Sequence, residues 1–474
     1  MKHARKFGIA LFSIVMIISI VACGGTAATP TNPPQPTNTA VPPAPTNTAV
    51  PPAPTNTAVP PAPTADTGGG VTSPNIVAGQ LNVIAVNGFQ DDWGDWTIVG
   101  LISNNTERFV NDIEVEVELF DASNNSLYVD TTYTSLYSIA PGEVTPFEMY
   151  VWDDVPDAAT FTATITGNGT SSAERGTVEI TNSSMVADSY DDMQIVGEIT
   201  NNSNDIVSIN GMAAAIFDGA GTLIAADSVN STVRYLEPGE SGPFRISVDA
   251  PADQIASLTD YTIYTDAQIT SEVDKYDLAI SETHYDYIDA YDYFHLVGQI
   301  TNNSDAYMNV SLVAGLYDAS GNVLDAATAS LPVYSLAPGE TLPYDFDYWG
   351  PVNYVPGTYD LATTYNVFID WYWTWDTTTV LVDLTTSGDA NEFDSYRGLF
   401  TGQVVNGTDA EIESATVIVA LYKVGTDELI AVGYDWIFDT IAVGGTGDYE
   451  VYVDIPAGTV ASDVEYVLIV KGEK

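Results

Sequence analysis

Between Ile113 and Leu119 the chain alternates strictly: Ile113, Val115, Val117 and Leu119 are apolar, and Glu114, Glu116 and Glu118 separate them. A period of two puts the apolar set on one face of an extended strand and the glutamates on the other. A helix would bring both Val115 and Glu116 beside Leu119, mixing charge into its buried face. The pattern therefore predicts a strand with one buried and one wet face. Burying the four apolar side chains is worth roughly 6–12 kcal/mol at about 1.5–3 kcal/mol each, an upper bound against a compact unfolded chain.

This strand belongs to a unit of about 100 residues that recurs four times. Each copy carries a glycine in a short apolar strand: Ile98-Val99-Gly100, Ile195-Val196-Gly197, Leu296-Val297-Gly298 and Phe400-Thr401-Gly402. A polar turn follows at Asn104-Asn105-Thr106, Asn201-Asn202-Ser203, Asn302-Asn303-Ser304 and Asn406-Gly407-Thr408. Such side chains bond nearby backbone and tolerate unusual φ, so a turn accounts for them without invoking their Asn-x-Ser/Thr pattern as a glycan acceptor. The long strand then ends in Leu119-Phe120-Asp121, Ile216-Phe217-Asp218, Leu316-Tyr317-Asp318 and Leu421-Tyr422-Lys423. Pro141-Gly142-Glu143, Pro238-Gly239-Glu240 and Pro338-Gly339-Glu340 are turns, with proline setting φ and glycine supplying freedom. A Pro-aromatic pair opens the next strand at Pro146-Phe147, Pro243-Phe244 and Pro343-Tyr344. Short strands, frequent turn signals and no helical period predict an all-β sandwich in each copy.

On these motifs the repeat resembles the FxLYD-type domain of bacterial extracytoplasmic proteins, an immunoglobulin-like β-sandwich. The fourth copy departs from the pattern: Lys423 stands in place of the aspartate, Val443-Gly444-Gly445 in place of Pro-Gly-Glu, and Asp448-Tyr449 in place of the Pro-aromatic pair. Its stripe Ala415, Val417, Val419 and Leu421 is retained. The resemblance implies four tandem immunoglobulin-like domains, at 76–171, 172–271, 272–377 and 378–474, in an extracellular setting. It implies no catalytic residue.

The N-terminal segment has a different character. Lys2, Arg5 and Lys6 precede an uncharged run from Phe7 to Ala22, and Cys23 closes it. The order of basic start, apolar middle and small residue before a cut is that of a secretory signal, 1–22. The run is about 16 residues, short of the roughly 20 that a spanning helix needs. Ile20-Val21-Ala22-Cys23 resembles the lipobox of bacterial lipoproteins, which implies that Cys23 is lipidated and becomes the mature N-terminus, tethering the chain to a membrane at the cell envelope, facing outside the cytoplasm. Residues 23–75 are a Pro/Thr-rich linker in which Pro-Thr-Asn-Thr-Ala-Val-Pro-Pro-Ala occurs at 36–44, 45–53 and 54–62. Such a composition cannot form a core and favours polyproline II, in which the roughly 45 residues from Gly25 would reach roughly 140 Å if fully extended at about 3.1 Å per residue.

Composition narrows the function. Formal net charge is −52, and removing 1–22 takes away three of twelve basic residues and none of the 64 acidic ones. That surface repels nucleic acid and anionic lipid and attracts cations or basic partners. Cys23 is the single cysteine, so the folded region is held together by burial and not by disulfides. Gly-x-Ser-x-Gly does not occur and Cys/His metal spacing is absent, which argues against a hydrolase and against zinc. His295 aligns with Thr97, Gln194 and Leu399, which reads as a variable surface position.

Two features point to binding. Carboxylates gather ahead of the glycine strand: Asp91 and Asp92, Asp191 and Asp192, Asp286 with Asp289 and Asp292, Asp389 with Asp394. Calcium takes six to eight oxygens, so Asp91, Asp92, Asp191, Asp192, Asp289 and Asp292 are candidate Ca²⁺ ligands, with plain solvated turns as the simpler reading. In the third copy Trp371, Trp373 and Trp375 recur at period two, and the last strands of the other copies have no counterpart. Facing outward they would form a ladder for sugar rings or a protein partner; facing inward they would be core. The sequence thus predicts a non-enzymatic, lipid-anchored surface protein for adhesion, envelope structure or protein interaction. The alternative is a carbohydrate-binding accessory protein acting through the tryptophan strand.

Overall fold

The structure is a computed structural model that describes residues 79–474 apart from 91–93, 152–154, 188–192, 230, 252–253, 272–276, 282–284, 292, 349–363 and 375–380. The described residues are all-β, with one short 3-10 turn at Ile255–Ser257. The signal segment, Cys23 and the Pro/Thr linker lie outside them.

Strand pairing falls into four successive stretches. The first contains β1 (Leu81–Gln90), β2 (Trp96–Asn104), β3 (Phe109–Phe120), β4 (Ser126–Tyr133), β5 (Ser138–Ile139), β6 (Val144–Val151) and β7 (Thr160–Ser171). They make two antiparallel sheets, β1-β2-β6 and one centred on β3 with β4, β5 and β7. The second contains β8 (Val178–Ala187), β9 (Met193–Asn201), β10 (Val207–Asp218), β11 (Leu223–Ser228), β12 (Ser231–Thr232), β13 (Tyr235–Leu236), β14 (Ser241–Val248) and β15 (Leu258–Ile269). The third contains β16 (Leu278–Ile280), β17 (Tyr285–Ile288), β18 (Phe294–Asn302), β19 (Met308–Tyr317), β20 (Val323–Ser330), β21 (Thr341–Tyr348) and β22 (Thr364–Thr374). The fourth contains β23 (Leu381–Asp383), β24 (Thr385–Phe393), β25 (Arg397–Val405), β26 (Ser414–Lys423), β27 (Leu429–Ile437), β28 (Thr446–Asp454) and β29 (Val464–Glu473). Their sheets repeat the scheme: β9, β18 and β25 each lie between an N-terminal strand and β14, β21 or β28, while β10, β19 and β26 are each flanked by β11, β20 or β27 and by β15, β22 or β29.

The recurrent residues hold equivalent places. Gly100, Gly197, Gly298 and Gly402 pair across the sheet with Phe147, Phe244, Tyr344 and Tyr449. At Gly100 and Gly197 a side chain would collide with the aromatic ring lying over the backbone, which is why the strand has glycine there. The asparagines are not surface turn residues: Asn104, Asn201, Asn302 and Asn406 are all 0 % exposed. Asn302 Nδ2 donates to the carbonyls of Ala306 and Leu336 at 2.7 and 2.9 Å, and its Oδ1 accepts from the Ser304 N–H and hydroxyl. Asn104, Asn201 and Asn406 bridge in the same way to the carbonyls of Ile139, Leu236 and Ile441. Each therefore ties two strand ends together from inside, and a buried amide is closed to glycan attachment. None of the four has positive φ. That freedom falls instead on Gly142, Gly239, Gly339 and Gly444, whose φ values are 84, 80, 74 and 71°, and whose N–H groups donate to the backbone carbonyls of the same asparagines.

In β3 the alternation holds as read: Ile113, Val115, Val117 and Leu119 are 0 % exposed, and Glu114, Glu116 and Glu118 are partly exposed. The same strand in later copies has no wet face. β11 packs on β2 and β6, β20 on β9 and β14, and β27 on β17, β18 and β21. Val99 and Leu101 meet Ala215, Leu223 and Ala226 in one apolar cluster; Val196 meets Tyr317 and Val323 in another. From the third copy into the fourth, a single buried cluster includes Val297, Ile418 and Ala420. Each glycine-strand sheet thus lies face to face on the β3-type sheet of the next copy. The outward positions change accordingly: Glu116 and Glu118 correspond to Ala213 and Ala215, to Val313 and Gly315, and to Ile418 and Ala420. At these positions of the strand, glutamate gives way to small or apolar residues where a copy stacks.

Candidate functional site

Several polar groups at these junctions are paired. Glu143, Glu240 and Glu340 each accept the backbone N–H three residues before them, at 2.6, 2.8 and 2.8 Å, which explains glutamate in Pro-Gly-Glu. Glu143 also pairs with Arg175 at 2.7 Å, and Glu340 with Lys471. Arg175 further holds the fully buried Asp266, which accepts from the Ser138 N–H and hydroxyl, so the segment between the first two copies is fastened to both. Between copies three and four, Gln299 donates to the Tyr422 hydroxyl at 3.0 Å and Tyr287 to the Asp454 carbonyl at 3.1 Å.

His295 is not a surface residue. It is 3 % exposed, because its position faces the next copy, and the aligned Thr97 and Gln194 are buried for the same reason. Its Nδ1 lies 3.0 Å from Asp345 Oδ2, its Nε2 lies 3.7 Å from Asp289 Oδ2, and the Tyr287 ring stacks on it at 4.6 Å. Asp289 is itself 2 % exposed and accepts the N–H groups of Tyr291 and Tyr293. Burial alone would raise its carboxyl; the neighbouring His295 ring, 3.7 Å away, and the hydrogen bonds from the Tyr293 and Tyr291 N–H groups hold it below the ordinary carboxylate range.

Of the six candidate calcium ligands, only Asp289 lies among the described residues. Asp91, Asp92, Asp191, Asp192 and Asp292 lie outside the described residues. Asp289 is committed to its turn and to His295; Asp286 accepts the Tyr365 hydroxyl, Asp389 those of Thr386 and Tyr449, and Asp394 caps the N–H groups of Tyr396 and Arg397. Among the described residues no group of three or more His, Cys, Asp or Glu is placed to hold a metal ion.

A different carboxylate cluster, unread in the sequence, sits where the first two copies meet. Glu148 on β6 is pushed up to about 8 by burial and by the charges of Asp227 and Asp249. Asp227 on β11 is pushed up to about 7 by burial, with the Asp249 charge adding to it. Between their unfolded values and these raised ones the folded protein retains protons that the unfolded chain releases, so their contribution is most favourable below about pH 4.5 and is lost as pH rises towards 8. Thermal stability of this region is expected to fall between pH 5 and 8.5, and Glu148→Gln to flatten the fall and raise the pH 8 melting temperature by several degrees, about a few kcal/mol. A wild-type slope in the Gln variant would contradict this.

At the tryptophans β22 is described in its backbone only. Trp371 pairs with Ser311 and Trp373 with Asn309 in β22–β19, while the side chains of both and the whole of Trp375 lie outside the description. Next to them Asp370 is pushed up to about 6 by burial and accepts the Arg234 N–H at 3.0 Å across to the second copy.

An exposed aromatic row stands elsewhere. In β27 and just beyond it Tyr434, Trp436 and Phe438 are 44, 41 and 75 % exposed. The Tyr434 and Trp436 rings meet edge to face at 4.8 Å, and Phe438 lies 6.4 Å from Trp436. β27 is an edge strand, and its other side abuts β28, where Asp435 accepts the Glu450 N–H. The signal was present in Tyr434-Asp435-Trp436-Ile437-Phe438, the same period-two spacing as the tryptophans, but on the hairpin strand and not the last strand. On the outer face of β24-β25-β28 lies an open polar hollow of about 610 Å³, lined by Ser387, Thr401, Gln403, Asp448 and Glu450.

Compared with protein-family models and with curated proteins, the chain matches none. Among the described residues no helix is long and apolar enough to cross a membrane.

Proposed function

We propose that the protein is a non-enzymatic, lipid-anchored component of a bacterial cell envelope, in which four FxLYD-like immunoglobulin sandwiches are displayed beyond a Pro/Thr spacer for adhesion, envelope structure or protein interaction. The observation that carries this reading is the continuous sheet-on-sheet packing from copy to copy, which makes the repeats a stiffened display element. Buried interfaces with fastened polar groups resist bending, as a spacer or presenting arm requires and as flexibly linked domains do not. The polar rows that close the array, Glu114, Glu116 and Glu118 on the first sheet and Gln403, Asp448 and Glu450 on the last, suit a capped repeat protein. The anchoring half of the proposal rests on Ile20-Val21-Ala22-Cys23 after an apolar run. Cys23→Ser is expected to abolish incorporation of labelled palmitate and to leave precursor or released protein. Labelling at the wild-type level in that variant would refute lipid anchoring.

A further inference from the structure

In copies two to four the outer face of the β3-type sheet is covered by the glycine-strand sheet of the preceding copy. The first copy has no preceding copy, and on the same face Val129 and Tyr133 of β4 are 50 and 61 % exposed, as are Thr162, Thr164 and Thr166 of β7 to a comparable class. Between these strands the ladder sets Glu118 opposite Val129 and Thr162, Glu116 opposite Thr131 and Thr164, and Glu114 opposite Tyr133. Residues directly opposite in an antiparallel pair point to one side of the sheet, so the carboxylates lie beside the apolar side chains and the hydroxyls. In the second copy Ala215 and Ala226 form the pair equivalent to Glu118 and Val129, and they meet Val99 and Leu101 across the first junction.

A cap against further stacking requires charge alone, and this face has more than charge. Val129 and Tyr133 retain apolar surface on the face that the repeats use for packing. Nor is the charge balanced nearby: from Phe109 to Glu174 the sequence has no Lys, Arg or His. At the other end of the array the polar groups satisfy one another, Gln403 donating to Asp448 and the Tyr452 hydroxyl to Glu450, with Arg397 over the Tyr452 ring. These features select the occupant. Ionised carboxylates only accept hydrogen bonds, so a row of three calls for donors. Alternate residues of a strand repeat at about 6.8 Å, so a facing strand with Lys or Arg at every second position matches the row in spacing. Each junction shows that the body received on this face is a sheet. A second copy of this chain would bring Gln403, Asp448 and Glu450, and its net charge of −52 repels it.

We propose that the outer face of the first copy's β3 sheet docks a β-sheet of a basic partner protein, whose alternate Lys or Arg side chains pair with Glu114, Glu116 and Glu118 while Val129 and Tyr133 supply the apolar contact. This deepens the interaction part of the reading above and is independent of the lipid anchor, so the palmitate result bears on one claim and not on the other.

The probe is a backbone-cyclised β-hairpin peptide with lysine at alternate positions of one face, titrated by calorimetry into the purified full chain at about 0.15 M salt, where long-range attraction is largely screened. An isomer of the same composition, with its lysines divided between both faces, is the control. The first peptide is expected to bind at least about fivefold tighter than the second. Glu116→Gln and Glu118→Gln should each weaken it about two- to fivefold. Tyr133→Ala should weaken it about fivefold at unchanged net charge. Glu411→Gln, at an exposed glutamate of the fourth copy, should leave it unchanged. Absence of binding, equal affinity for the two peptides, or a loss in Glu411→Gln equal to that in Glu116→Gln would overturn the proposal. Binding that appears only when 36–62 is deleted would overturn it in favour of the chain's own linker. A wild-type dimer in sedimentation that Tyr133→Ala abolishes would overturn it in favour of a second copy. Circular dichroism checks the fold of each variant, and the two isosteric glutamine variants decide the matter if Tyr133→Ala misfolds.

Discussion

Val117→Asp will unfold the first copy. Val117 is 0 % exposed on β3, between Val115 and Leu119, in the cluster with Ile98, Phe147 and Met149. An aspartate there has no cation or donor within the apolar cluster, and stranding a carboxylate costs several kcal/mol even after its pKa rises to neutralise it. Against a domain stability of about 5–15 kcal/mol the folded population of that copy collapses. Denaturant unfolding read by hydrogen exchange over 109–120 is expected to lose protection in the variant at neutral pH. Glu116→Lys, one residue away on the partly exposed face, is expected to change stability by about 0.5 kcal/mol or less. A mild Val117→Asp, or a severe Glu116→Lys, would invert the assignment of the two faces of β3.

Val313→Glu is expected to be nearly as damaging, although Val313 aligns with Glu116. Val313 is 0 % exposed and belongs to the buried cluster of the second copy, which also includes Ile209 and Met212. A glutamate at that junction faces a neighbouring sheet where Glu116 faces solvent, and an uncompensated buried charge costs about 3–5 kcal/mol. The consequence is a separation of copies two and three, visible as a split thermal transition and as new proteolysis between Ile269 and Leu278. A variant with an unchanged single transition would mean that the junction contributes nothing to stability.

These two residues mark how far the sequence could be read. Strands, turns and the four-fold recurrence were legible because each depends on neighbours within a few residues: period-two alternation, proline-glycine turns, and an aspartate that bonds the N–H groups two and four residues on. The glutamates of β3 face solvent, as their alternation predicts. Their replacement by Ala213, Val313 and Ile418 was equally visible, and a loss of charge from an outward face is itself a sign that something covers it. His295 was misread for the same reason: alignment with Thr97 and Gln194 suggests variability, but only packing against the next copy makes such a position buried. The aromatic row of β27 has the same period as the tryptophans of β22, and nothing local to either strand distinguishes exposed rings from buried ones.

The sequence by itself determined the all-β character, the positions of the turns and the core face of β3, since alternation and backbone restriction act locally and survive any arrangement of the sheets. Tertiary structure decided which asparagine is a buried bridge, which carboxylates meet at Glu148 and Asp227, and which aromatic residues remain in solvent. Those outcomes depend on sheets brought together from distant parts of the chain, where burial, and not residue type, sets whether a side chain is paired, protonated or left free to bind.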